Sequence, residues 1–352
     1  MAYTTINKST DYFNTKTYTG NGGTQALTGI GHQPDMVWVK SRGDGDGHKL
    51  FDSIRGALKV IEPNDNSTES TYANSLTSFD SDGFTVGSTA DMNDSGDTFA
   101  SWNWKAGTTG SGTSTGSGTG KAYSYSVNTT SGFSIVKYVG NGSAGHTIPH
   151  HLGQAPTFTI VKALGLTESW QVISSGLAAD KFIQLNVDSA EVSQGSYNRF
   201  NSTRPSSTVV TLGSDDHTNK NDNNFIMYNF CNVDGFSKSG SYNGNGNADG
   251  TFVYTGFKPA FVMVKKTDST GYWVIQDNKR TSTSGTNPND KWIYPNATDA
   301  EYDASSYPMD LLSNGFKIRH TGNYQNTANV KYIYMAFGQS LVGSNNTPCT
   351  AR

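Results

Sequence analysis

Apolar residues in this chain fall in short runs, divided by clusters of Gly, Asn, Asp and Ser that favour turns. Three runs start from a proline: Pro34-Asp35-Met36-Val37-Trp38-Val39-Lys40, Pro156-Thr157-Phe158-Thr159-Ile160-Val161-Lys162 and Pro259-Ala260-Phe261-Val262-Met263-Val264-Lys265. In the first, Met36 and Trp38 share one alternating set and Val37 and Val39 the other, so the pattern predicts a strand covered on both faces. Three later runs are aromatic: Phe99-Ala100-Ser101-Trp102-Asn103-Trp104, Phe225-Ile226-Met227-Tyr228-Asn229-Phe230 and Tyr332-Ile333-Tyr334-Met335-Ala336-Phe337. Phe99, Ser101 and Asn103 alternate with Trp102 and Trp104, which predicts a half-buried strand. Helix formers at helical spacing occur only in Ser53 to Ile61 and Gly176 to Phe182, each about two turns long. The elements predict an all-β chain of sandwich or jelly-roll type.

The runs recur in a fixed order. Tyr-x-Gly-Asn-Gly appears as Tyr18 with Gly20-Asn21-Gly22, Tyr138 with Gly140-Asn141-Gly142, and Tyr242 with Gly244-Asn245-Gly246. The strand led by Pro34, Pro156 or Pro259 follows, then Asp52, Ser174 or Asp277, then Asn64, Asn186 or Asn296, then the aromatic run. Gly-Asn-Gly suits a tight turn or bulge, and a proline at a strand's first residue costs no ladder donor. Five anchors in register predict three tandem β-sandwich (jelly-roll-like) modules, at 12–106, 123–232 and 234–342, each about the size of a two-sheet sandwich. Residues 1–11 precede them and a polar tail, 343–352, follows. Residues 107–122 contain GTTGSGTSTGSGTG and read as a flexible linker by composition. Asn232-Val233-Asp234-Gly235 joins the second module almost directly to the third, so those two are expected to pack as a pair.

Composition narrows the function classes. Charged residues are 16% and aromatics 12%, and the formal net charge is −3 with no Lys/Arg run, so the footprint of a nucleic-acid binder is absent. The apolar runs are far shorter than the ~20 residues of a membrane-spanning helix. The start, MAYTTINKSTDYF, lacks the basic and apolar regions of a secretory signal. Of the two cysteines, Cys231 reads as a small buried hydrophobe and Cys349 as a free thiol in the tail.

In the Tyr-x-Gly-Asn-Gly strand, the Pro-led strand with Trp38 and Lys40, and the closing Tyr334-Met335-Ala336-Phe337, the chain resembles a module repeated in tail-fibre-like and other appendage proteins of marine bacteriophages. The resemblance covers all but the linker and tail. It implies a non-enzymatic virion protein, made in the host cytoplasm, released by lysis and exposed on the particle surface. Its implied partners are other virion proteins and a host surface glycan, with a homo-oligomer, a trimer above all, as the expected state. No heptad segment is present to drive trimerisation through a coiled coil. The resemblance supplies no catalytic residue and no cofactor. The second copy departs most, with Ser174 in place of Asp.

Asp44-Gly45-Asp46-Gly47 and the loop from Asp91 set oxygen ligands at alternate positions, but the second has Trp102 where a calcium loop needs a bidentate Glu, so solvated turns and no metal are expected. His146, His150 and His151 lie close in sequence without an acidic or thiol partner at ligand spacing. Nucleophile-elbow, zinc-protease and phosphate-loop motifs are missing. Exposed aromatics are the adhesion candidates, because sugar rings stack on flat apolar faces. Tyr197, Arg199 and Phe200, with Tyr302 and Tyr307, fall outside the repeated anchors and are the expected binding residues. Two functions remain open: a tail-fibre or adhesin component that contacts a host surface glycan, and a capsid decoration or appendage scaffold with protein contacts alone.

Overall fold

The computed structural model describes residues 4–281 and 287–340. The chain is all-β, and one strand plan occurs three times. In the first module, strands Phe13–Thr19, Thr98–Trp104, Met36–Ser41 and Lys49–Asp52 lie side by side in that order; in the third, Ser237–Asn243, Lys331–Gly338, Pro259–Lys266 and Val274–Asp277 do the same. In the second, Phe133–Val139, Asn224–Phe230, Phe158–Ala163 and Gln171–Ser174 form the middle of an eight-stranded sheet. All these pairs are antiparallel. A three-stranded sheet packs on each: around Gly83–Val86, His146–Pro149 and Gly315–Ile318.

The Tyr-x-Gly-Asn-Gly anchor is a lock. The hydroxyls of Tyr18, Tyr138 and Tyr242 donate to the carbonyls of Met92, Thr218 and Gln325. The next residue in each case, Asn93, Asn219 or Asn326, is fully buried, and its Oδ1 accepts the backbone N–H of Asn21, Asn141 or Asn245. Its amide then donates to carbonyls on both sides, so every polar atom taken from water is matched. At Gly20 a Cβ would stand 2.0 Å from the Asp94 carbonyl oxygen, and at Gly140 and Gly244 similarly close to Lys220 and Thr327, which excludes other residues there. Gly22, Gly142 and Gly246 have φ near +70°, where glycine is favoured.

Each Pro-led strand is buried, apart from the partly exposed Ala260 in the third, and faces two cores. Val37 and Val39 pack inside the first module, whereas Met36 and Trp38 face a central core to which all three modules contribute. Phe158 and Ile160, and Phe261 and Met263, face the same core. At its middle three equivalent rings meet: Trp104, Phe230 and Phe337, with centroids 6.3, 5.7 and 5.9 Å apart.

The surrounding contacts close a ring of three interfaces. Glu69 N–H donates to the Leu164 carbonyl, Glu191 to Thr267, and Glu301 to Arg42, joining first to second, second to third and third to first. A side chain at one repeated position works the other way round: the Trp170 indole donates to the Glu62 and Asp65 carbonyls, that of Trp273 to Gln184, and the His48 ring lies 3.0 Å from the Tyr294 carbonyl. The modules therefore form one body with internal pseudo-threefold symmetry.

Four sequence expectations change. The stretch read as a flexible linker is paired structure: Thr108–Thr113 lies beside Ala122–Asn128, and Thr115–Gly116 beside His146–Pro149. Its glycines alternate with Ser and Thr at strand period, and Gly110 and Gly112 lie opposite Tyr125 and Tyr123, whose rings occupy the space of a Cβ. The second and third modules are not a separate pair, since the first shares their core. The two short helices expected at Ser53 to Ile61 and Gly176 to Phe182 are turns that run into strands Lys59–Val60 and Lys181–Gln184; among the described residues the α-helices are Ala90–Asn93 and Asp216–Asn219. In the first turn Asp52 accepts the N–H groups of Ile54 and Arg55, which mimics a helix start. The aromatic closing strand Thr98–Trp104 is buried on both faces from Phe99 onward, and the Asn103 amide donates to the Ser101 hydroxyl and to the Asn14 carbonyl. Residues 343–352, including Cys349, lie outside the described residues; Cys231 is a free, buried thiol, and burial pushes it up to about 12.

Candidate functional site

Pseudo-symmetry places one surface position in each module, built on the strand after the Pro-led strand and the segment that follows. Strand register makes Lys49, Gln171 and Val274 equivalent. The pairings of Leu50 with Ile61, Val172 with Ile183 and Ile275 with Ile293 make Val60, Phe182 and Trp292 equivalent, and likewise Glu62, Gln184 and Tyr294. Two residues before the buried asparagine stand Asp91, His217 and Tyr324.

In the first module the position is filled by an ion network. Lys49 Nζ lies 2.7 Å from Glu62 and 3.1 Å from Asp91, 5.5 Å over the Tyr72 ring, and the Tyr72 hydroxyl donates to Asp91. Burial disfavours the Lys49 ammonium, but the two carboxylates outweigh it and hold the group above its ordinary range. In the second module Arg199 fills the position. Its guanidinium stands 4.3 Å over Phe182 and 5.1 Å over Tyr197, and donates to Gln171 at the place of Lys49. Asp215 lies 3.6 Å from it and also holds His217, whose other nitrogen meets Glu168 at 2.7 Å. Burial would raise the Asp215 carboxyl, yet the hydrogen bonds from His217 bring it below the ordinary range.

Among the described residues the third module has no such plug. Val274 replaces Lys49, and the rings of Trp292, Tyr294, Tyr302, Tyr307 and Tyr324 line a cleft of about 390 Å³, with Asn323 at its rim. Trp292 forms the floor, 5.4 Å from Tyr307 and 6.2 Å from Tyr302; Tyr294 faces Tyr302 at 6.5 Å and backs onto Tyr272 at 4.9 Å. Burial raises the Tyr294 hydroxyl well above its usual range, so it stays a neutral donor. Lys291, beside Trp292 in sequence, is held by Asp303 at 3.0 Å, and Lys266 by Asn323 at 2.9 Å.

A single family model matches residues 8–340, across all three copies of this position. The chain belongs to the DUF7483 family, a domain of unknown function. No curated protein matches it. One DUF7483 unit thus takes in the three modules, their central core and all three surface positions.

The expected binding residues divide between two equivalent places. Tyr302, 45% exposed, and the half-buried Tyr307 line the open cleft of this DUF7483 chain. Tyr197, 47% exposed, lies at the filled position of the second module. Arg199 and Phe200 are corrected: Arg199 is buried as the plug, and Phe200 is fully buried in the second module's own core. Trp292, Tyr294 and Tyr324 were missed. Tyr294 is two residues before the repeated Asn296, so only the contrast with Glu62 and Gln184 marks it out.

The other candidates disperse. His146 bridges Ser114 and Asn219 inside the fold, His150 meets the Ser206 carbonyl, and His151 stacks on Tyr125 at 3.7 Å; three histidines serve three separate packing roles. Burial lowers His150 to about 4. Among the described residues no cluster of three or more His, Cys, Asp or Glu side chains is arranged to hold a metal. Asp91 instead serves Lys49 and Tyr72.

Proposed function

We propose that this chain is a non-enzymatic attachment protein of a virion surface whose third-module cleft takes a host surface glycan. The open set of rings around Trp292 carries the reading. Aromatic faces give a sugar ring its apolar contact, while Tyr hydroxyls and the Asn323 amide at the rim can meet its hydroxyls. The repeated framework supports this division, since the anchors are consumed by internal locks and the cleft lies outside them.

The test is adsorption to host cells and to a glycan array. Tyr302→Ala, with Tyr307→Ala, is expected to keep the melting temperature within about 2 °C and to reduce attachment at least tenfold, given about 1 kcal/mol or more per lost stacking ring. Normal adsorption by a normally folded double variant overturns the reading.

A second reading, an appendage scaffold with protein contacts, is favoured by a different observation. Phe252 and Tyr254, 43% and 55% exposed, stand on the free edge strand Phe252–Tyr254, whereas the equivalent edge of the second module is covered by Thr115–Gly116. An uncovered edge with exposed rings is a place where another chain can pair. Phe252→Lys should then block particle assembly and leave glycan binding unchanged.

A further inference from the structure

Two of the three equivalent surface positions hold a cation against an aromatic ring. Lys49 does so over Tyr72, and Arg199 over Phe182 and Tyr197. The two cations come from unrelated places in the module, one on a strand and one on a loop, yet they reach the same spot: Arg199 donates to Gln171, the residue at the Lys49 position. The third position has more aromatic surface than either and supplies no cation from Val274.

We infer that the third-module cleft recognises an organic ammonium group, which occupies against the rings of Trp292, Tyr294 and Tyr302 the place that Lys49 and Arg199 occupy in the other modules. The inference rests on the attachment reading and names the chemistry of its ligand. A ring face attracts a cation through its quadrupole, and does so more strongly where water is partly excluded. The surroundings agree in sign. Asp299 lies near enough to Tyr294, and Asp188 to Tyr324, to act on those hydroxyls electrostatically, whereas the two neighbouring lysines are tied up by Asp303 and Asn323. No bond is made or broken, so the site is one of recognition.

Two sources could present the group: an amino sugar of a surface glycan, or a choline-type headgroup. Titration calorimetry on the full chain separates them with four probes: protonated glucosamine, glucose, choline and the uncharged carbon isostere of choline. Each charged probe that fits is expected to bind roughly 3- to 30-fold more tightly than its neutral counterpart, the span of one to a few cation–ring contacts. Glucosamine binding without choline binding assigns the amino sugar, and the reverse assigns the headgroup; both support the inference. Glucose binding as well as glucosamine would overturn it while leaving glycan attachment standing. If none of the four binds while Tyr302→Ala still weakens adsorption, the ammonium assignment is wrong and the cleft's attachment role survives.

A variant makes the test internal. Val274→Lys brings in the cation of the first module without its two carboxylates, so a lowered melting temperature is expected together with loss of the charged-probe preference in the folded chain. Should that variant unfold, Tyr294→Leu, which keeps an apolar wall and removes a ring, is expected to cut the preference at least threefold. An unchanged preference in a folded Tyr294→Leu chain overturns the inference.

Discussion

The first module meets its two neighbours through buried charge, whereas the second and third meet at the corresponding place without it. The Tyr228 hydroxyl donates to Asp52, and the Trp102 indole to Asp277, at 2.7 and 3.0 Å. Each carboxylate is held from its own module by the arginine three residues on, Arg55 or Arg280, which reaches further to Glu69 or Glu301. At the third interface the same three positions are Met335, Ser174 and Leu177, with Met335 and Leu177 in the central core. Donor, acceptor and cation are absent together. A buried ion pair with one partner removed is worse than none, so these positions change as a unit or not at all. Ser174, which makes the second copy look divergent in the sequence, is one corner of that unit.

The contrast can be broken one residue at a time. Asp52→Ala or Asp277→Ala leaves a buried guanidinium without its carboxylate and is expected to cost about 3–5 kcal/mol; Ser174→Ala should cost about 1 kcal/mol or less, and chemical denaturation compares them directly. Comparable losses at all three positions would remove the distinction between the interfaces. Tyr228→Phe takes away only the donor to the charged Asp52, and about 1.5–3 kcal/mol is expected. Trp104→Phe makes the central triangle of rings identical, with Phe230 and Phe337. The Trp104 indole N–H is buried without a partner among the described residues, so relief of that group offsets the lost volume, and a change within about 1.5 kcal/mol is expected.

Titration sharpens the same comparison. Glu301 lies at the interface of third and first modules; burial would raise its carboxyl, but Arg42 and Arg280 hold it below the ordinary range. A depressed folded pKa stabilises above the unfolded value and is lost as pH falls, so acid below about pH 4 should weaken this interface. Lys40, Lys162 and Lys265 recur at all three, donate to backbone carbonyls and are lowered to about 8 by burial. The unfolded chain binds those protons more tightly, so stability should rise between about pH 8 and pH 10. Above that, the buried hydroxyls of Tyr138 and Tyr242, raised by burial, reverse the trend. Melting curves from pH 3 to 11 test both signs, and Glu301→Gln should flatten only the acid limb.

Much of this plan is legible in the chain. The Gly-Asn-Gly turns, the Pro-led strands and the aromatic strands follow from period-two alternation and from glycines that no other residue can replace. The repeated lysine was visible as an anchor, but Lys162 and Lys265 each add an acceptor from the preceding module, the Asn66 and Asp188 carbonyls, a distance that local pattern does not encode. Thr108–Thr113 was hidden by its composition, since Gly and Ser suggest freedom and only the facing Tyr123 and Tyr125 reveal a partner. In the cleft, Tyr302 and Tyr307 stood out as aromatics beyond the repeat, whereas Trp292 lay among the buried positions and needed the fold to place it.

Scanning calorimetry of the full chain tests whether the three modules are one body around a shared core. One transition is expected, with calorimetric and van't Hoff enthalpies that agree, and Trp104→Ala should shift that whole transition, losing about 3–5 kcal/mol. Two or three separate transitions, with Trp104→Ala moving only one of them, would contradict it.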